Sequence, residues 1–151
     1  MMKVELNYAE IYRAAEAGLM RRVKAMQDKQ TQYGSGASWT EDIEGALGEC
    51  AVAKALNIYW AGMGIKNGGD VGELQVKTTR LKNGRLIVKK ENESNARYIL
   101  VVGEMGEYEL KGWLWGHEAK QPEYWVEKSA KIWHPAYFVP QDKLKSVEEL
   151  A

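Results

Sequence analysis

A chain of 151 residues with 45% hydrophobic and 28% charged side chains is sized for a single domain, 1–151, that buries about two thirds of its unfolded surface without disulfides or a structural metal. Its 21 basic and 21 acidic residues cancel, so bulk charge does not point to a polyanion, and no apolar run nears the roughly 20 residues that a membrane span needs. Two histidines and a lone cysteine, Cys50, allow no intrachain disulfide and offer no zinc spacing, and the opening MMKVELNYAE has no apolar core of a secretory signal, so a soluble, cytoplasmic protein is expected.

In chain order, residues 6–29 space Ile11, Ala14, Ala15, Leu19, Val23 and Met26 three and four apart, which predicts an amphipathic helix with that stripe inward. The segment TQYGSGAS breaks it. Ser38 followed by Glu41 has capping-box spacing, with Thr40 as the competing cap, for a second helix over residues 41–56. That helix is small or apolar nearly all round, so it should be buried against a sheet. After a stretch rich in Gly and Asn come β-type segments at 71–78, 85–89, 97–103 and 108–115, with Asn83-Gly84 signalling a type I′ hairpin between the first two. ARYILVVGE, the most continuous apolar run, is the expected central strand. AYFVP reads as a short strand, and QDKLKSVEEL as a short helix begun at Pro140. The order predicts an α/β or α+β fold: a small mixed sheet of four to five strands flanked by helices.

Four features bear on chemistry. Glu49 projects from a face formed by Ala46, Val52, Ala53 and Leu56, where a carboxylate needs a basic partner, backbone donors or a metal ion; a structural salt bridge to a nearby lysine meets the same need. In GGDVGELQVKTT, Gln75 and Lys77 share one face of a strand opposite Leu74 and Val76, and Gly72 allows a bulge or bend that brings Asp70 to that face. A turn-capping aspartate and the wet side of an edge strand are the plainer readings. From Val76 to Lys90 the chain carries Lys77, Arg80, Lys82, Arg85, Lys89 and Lys90 and no acid, a patch suited either to phosphates or to guarding an exposed edge. Trp113, Trp115, Trp125 and Trp133 suit base stacking or, more simply, core and rim packing.

Gly45-x-x-Gly48-Glu49 on an alanine-rich helix, then Asp70, then Gln75-Val76-Lys77, resembles the PD-(D/E)xK nuclease superfamily, in particular uncharacterised phage-borne proteins of that type. The resemblance covers about residues 40–145 and rests further on GWLWGHEAK and PAYFVPQDKL. It implies a restriction-endonuclease-like core and a DNA nuclease dependent on Mg²⁺, with Mn²⁺ as substitute, of which a junction-resolvase-like enzyme is one form. Asp70 would be the central metal ligand, Gln75 and the Val76 carbonyl further ligands, Glu49 a helix-borne ligand, and Lys77 the residue that orients the attacking water. Gln75 stands where the superfamily usually has an acid, which removes a negative charge from the site; Glu73 is the reserve ligand. Arg80, Lys82, Arg85, Lys89 and Lys90 would hold the DNA backbone, and cutting both strands would call for a homodimer. The alternatives are a catalytically inactive nucleic-acid-binding module on the same fold, and a phage structural or interaction protein.

Overall fold

The computed structural model describes residues 1–28, 38–62, 69–128 and 134–151. The chain opens with a strand absent from the sequence reading, β1 (Met2–Glu5), before α1 (Tyr8–Gln27) and α2 (Ser38–Leu56). Asn7 caps α1 in a capping box with Glu10, each side chain accepting the other's backbone N–H. The start of α2, with the expected Ser38 cap, has its capping contacts outside the described residues.

α1 buries only the first part of the expected stripe, Ile11 and Ala14. Leu19, Val23 and Met26 are exposed, and the face turned inward carries Ala14, Gly18 and Arg22. The reason is steric: a Cβ on Gly18 would lie 2.6 Å from the Asp42 carbonyl oxygen and the Ile43 Cα, so the two helices cross where their side chains are smallest. The Arg22 guanidinium, 3.6 Å from Asp42, adds an ion pair to the crossing. α2 is buried nearly all round, as its composition requires.

Four strands form the main sheet in the order β1-β5-β4-β2, with β2 (Leu74–Thr79) parallel to β4 (Arg97–Glu104), and β5 (Glu107–Trp115) antiparallel to both β4 and β1. The apolar run of β4 is interior to this sheet, as expected. Between Leu110 and Trp113 the β5 register slips by one residue, leaving Lys111 without a partner on β4 just before Gly112, where φ is +153°. This bulge lets Tyr108, Leu110 and Trp113 all face α2, which a regular strand could not do. Leu47, Ala51, Val52, Leu74, Ile99 and Val101 complete that core layer.

The opposite face is covered by a second sheet, β3-β7-β6, made of β3 (Leu86–Val88), β6 (Trp125–Val126) and β7 (Ala136–Val139); a short α3 (Gly116–Ala119) follows β5. Leu86, Val88 and Val139 meet Tyr98, Leu100, Val102 and Leu114 there. The expected Asn83-Gly84 hairpin is therefore absent. Neither residue has positive φ, and β3 pairs antiparallel with β7 instead of β2. Gln141 explains the departure: its amide donates to the carbonyls of Lys82 and Gly84 and holds the connection so that it leads into the second sheet. The expected C-terminal helix consists of two 3₁₀ turns, Gln141–Lys143 and Val147–Leu150, with Pro140 just before the first. No helix among the described residues is long and apolar enough to cross a membrane.

Candidate active site

The acid in GGDVGELQVKTT reaches β2 by a tighter device than a bulge. Val71 and Leu74 exchange both backbone hydrogen bonds, at 3.1 and 2.9 Å, around a two-residue reversal of Gly72 and Glu73. Gly72 sits at φ +57°, the left-handed region a glycine adopts without strain. Gly69 is required for space: a Cβ there would lie 2.5 Å from Glu73 and Leu74 backbone atoms. Gly68 lies outside the described residues. The reversal folds Asp70 back onto the strand it precedes, where its Oδ2 accepts the Val76 N–H at 2.9 Å. Its other oxygen has no partner among the described residues.

Burial pushes the Asp70 carboxyl above its ordinary range, and the charge of Glu49 adds to the effect; the Val76 N–H, Lys77 and Arg21 pull the other way. Asp70 is thus the common neighbour: Glu49, Lys77 and Arg21 each act on it. Lys77 extends from the β2 face that carries Gln75, with its ammonium 5.8 Å from the centre of the Tyr98 ring. Burial lowers its pKa and Lys89 lowers it further, against the pull of Asp70 and Glu91. Gln75 is half-buried opposite Tyr98 in the β2/β4 pairing.

Glu49 is delivered by α2, which rides so close to β2 that a Cβ at Gly48 would meet the Thr78 hydroxyl. The basic partner that a buried carboxylate demands is Arg21 of α1. Its two terminal nitrogens donate to the two Glu49 oxygens at 2.9 and 2.8 Å, its Nε donates to the Gly62 carbonyl at 3.0 Å, and the Trp60 indole N–H donates to Glu49 at 3.1 Å. Burial opposes the Arg21 charge, but the bonds and charge of Glu49 outweigh it and raise its pKa. No pattern in the sequence marks Arg21 or Trp60 as a partner of Glu49. Arg21 was concealed as one charge on an apparently solvated helix, although Glu49 itself predicted a basic neighbour.

The other expected residues divide. Glu73 turns outward and pairs with Arg97 at 3.3 Å, away from Asp70. Lys89 acts on Lys77, and Arg85 lines, with Lys77, Thr79 and Phe138, a cavity of about 420 Å³ beside the β2 edge. Arg80 and Lys82 are exposed at the far end of β2, where Arg80 acts on Glu44 and Lys82 on Glu109. Lys90 is exposed just beyond β3. Trp113 is a core residue whose indole donates to the Ser146 carbonyl, and Trp115 is flanked by Arg97 and a stacked His117. Trp125 packs on Tyr137, and Trp133 lies outside the described residues.

Among the described residues no three acid, histidine or cysteine side chains gather as a metal-holding group. The oxygen donors at the site are the Asp70 carboxylate, the Gln75 amide and the Val76 carbonyl, with Glu49 engaged by Arg21 and Trp60. A half-buried carboxylate whose charge is only partly compensated would suit a hard cation such as Mg²⁺, held by few protein charges and therefore weakly. Compared with family models, curated proteins and solved structures, the chain matches none.

Proposed function

We propose that the protein is a metal-dependent deoxyribonuclease that hydrolyses phosphodiester bonds at the Asp70 site. The observation that carries this reading is the reversal at Gly72-Glu73, which folds Asp70 onto Val76 within electrostatic reach of Lys77 and Glu49. Asp70, the Gln75 amide oxygen and the Val76 carbonyl are the residues that would hold Mg²⁺ or Mn²⁺. When bound, the cation supplies Lewis-acid polarisation of a phosphoryl oxygen. Lys77 has the lowered pKa of an amine suited to holding the attacking water and exchanging a proton with it. Lys89 and Arg85, on the same side, suit the DNA backbone.

The test is incubation with branched, duplex and single-stranded DNA in Mg²⁺, Mn²⁺ or EDTA. Cleavage is expected with either metal and not with EDTA, and Lys77→Ala should lose about 10²- to 10⁴-fold in rate. If no substrate is cut, or the variant cuts as fast as wild type, the reading fails. A second reading, a binding module without activity, draws support from Glu49 being committed to Arg21 and Trp60 and from the neutral Gln75. Salt-dependent DNA binding with no cutting would favour it.

A further inference from the structure

We propose that Arg21 is a phosphate-binding residue of this site: anchored by Glu49 and the Gly62 carbonyl, its guanidinium presents one of its two remaining N–H groups to a backbone phosphate of the DNA strand at Asp70. The inference rests on the nuclease reading and adds to it the residue that positions the strand.

Donor counting leads to it. A guanidinium carries five N–H groups. One goes to the Gly62 carbonyl and two to Glu49, and the other two, one on each terminal nitrogen, have no partner among the described residues. The pair is not sealed from solvent. The Arg21 side chain is 23% exposed while its Glu49 partner is 9% exposed, so the open side of the pair is the cationic side. The neighbouring Arg22, at 4%, shows what a purely structural arginine on this helix looks like, and together with Gly18 it already ties α1 to α2. A guanidinium fixed at its end by a carboxylate and at Nε by a carbonyl has its plane held, so that each leftover N–H is preorganised to donate to a phosphate oxygen. Arg21 also lies within electrostatic reach of Asp70, so a phosphate bound there would lie beside the acid.

The experiment measures oligonucleotide affinity against salt in EDTA, where no cleavage intervenes, for wild type, Arg21→Gln, Glu49→Gln and the double variant. Arg21→Gln should weaken binding and lower the slope of log K against log salt by about 1, one phosphate contact. Because this variant leaves Glu49 unpaired and risks unfolding, the double variant is compared with Glu49→Gln alone, and the same loss of about one unit is expected. A structural pair would lower the melting temperature and leave the slope unchanged, and unchanged slopes in both comparisons overturn the proposal. A wild type that cuts DNA but shows no Arg21-dependent slope refutes the role of Arg21 alone. An Arg21-dependent slope without cleavage in any metal upholds Arg21 and refutes the nuclease. A wild type that binds no DNA at low salt refutes both.

Discussion

The two glycines of Gly45-x-x-Gly48-Glu49 should respond oppositely to alanine. Both lie in α2, where replacing glycine by alanine favours the helix by up to about 1 kcal/mol. At Gly45 a new Cβ has no heavy atom within 4 Å, so the whole gain is realised. At Gly48 it would lie 1.9 Å from the Thr78 hydroxyl oxygen and 3.0 Å from both the Thr78 Cβ and Cγ2. Rotating Thr78 moves the hydroxyl but leaves its Cβ just as close, so helix and strand must separate. Overpacking of this kind costs roughly 1–3 kcal/mol and outweighs the helix gain. For a domain of this length about 1 kcal/mol moves the melting temperature by about 2–4 °C. Gly45→Ala should therefore melt about 2–4 °C higher than wild type, and Gly48→Ala several degrees lower. In a Thr78→Ala background, which also removes a buried hydroxyl that makes no hydrogen bond among the described residues, the hydroxyl and Cγ2 contacts vanish and only the 3.0 Å Cβ contact stays, so Gly48→Ala should cost less than it does beside Thr78. Calorimetric melts of the four variants decide it. A Gly48→Ala that melts at or above wild type would refute the close approach of α2 to β2, and with it the placement of Glu49 beside Asp70.

Asp70→Asn should abolish cleavage while leaving the fold as stable or more so, because asparagine still accepts the Val76 N–H and no longer carries a charge that burial and Glu49 disfavour. The folded pKa is raised, so wild-type stability falls as pH rises above the ordinary carboxyl value of about 4, and urea titrations should show that decline reduced in the variant. Glu44 is raised in the same sense by burial and Glu104, against Arg80, so Glu44→Gln should also stabilise at neutral pH and flatten the pH dependence of urea unfolding. Lys89→Gln should return the Lys77 pKa toward its ordinary value, moving the limb of the pH-rate profile that Lys77 sets to higher pH; an unmoved limb would show that Lys77 is not the titrating group. Gln75→Glu should tighten Mn²⁺ binding measured by calorimetry without DNA; unchanged affinity would remove residue 75 from the proposed ligand set.

What the sequence revealed follows from how local each determinant is. Hydrophobic composition alone marked β4 as an interior strand and α2 as buried, because both depend on how many of their own side chains are apolar. Spacing misled on α1, where Leu19, Val23 and Met26 form a good stripe but the approach of α2 selects Gly18. Helix crossing is a property of two segments, and one segment's periodicity does not encode it. Asn83-Gly84 failed for a similar reason: a turn signal reports what two residues tolerate, whereas the Gln141 amide, 57 residues from Gly84 along the chain, decides where the connection goes. At the site, the order Glu49, Asp70, Gln75, Lys77 was legible because three of the four lie within one reversal and strand. Arg21 was not, because it comes from a helix that contributes nothing to the motif.

Arg21 also changes the meaning of Gln75. With an acid at position 75 and no arginine, Glu49, Asp70 and that acid against Lys77 would give the cluster two net negative charges. With Gln75 and Arg21, the two carboxylates face two cations and the cluster is neutral. A neutral site attracts a free divalent cation only weakly, yet it does not repel a phosphodiester, so on the proposed mechanism the DNA phosphate supplies the charge that the missing acid does not. Metal and substrate should then bind cooperatively, each strengthening the other by the same factor, as linkage requires. The amide at position 75 is then one half of an exchange, the other half being the arginine on α1. The nuclease reading rests on a lysine of lowered pKa acting on a half-buried aspartate whose charge is only partly compensated. That juxtaposition, more than the count of acids, is the argument for chemistry at this site.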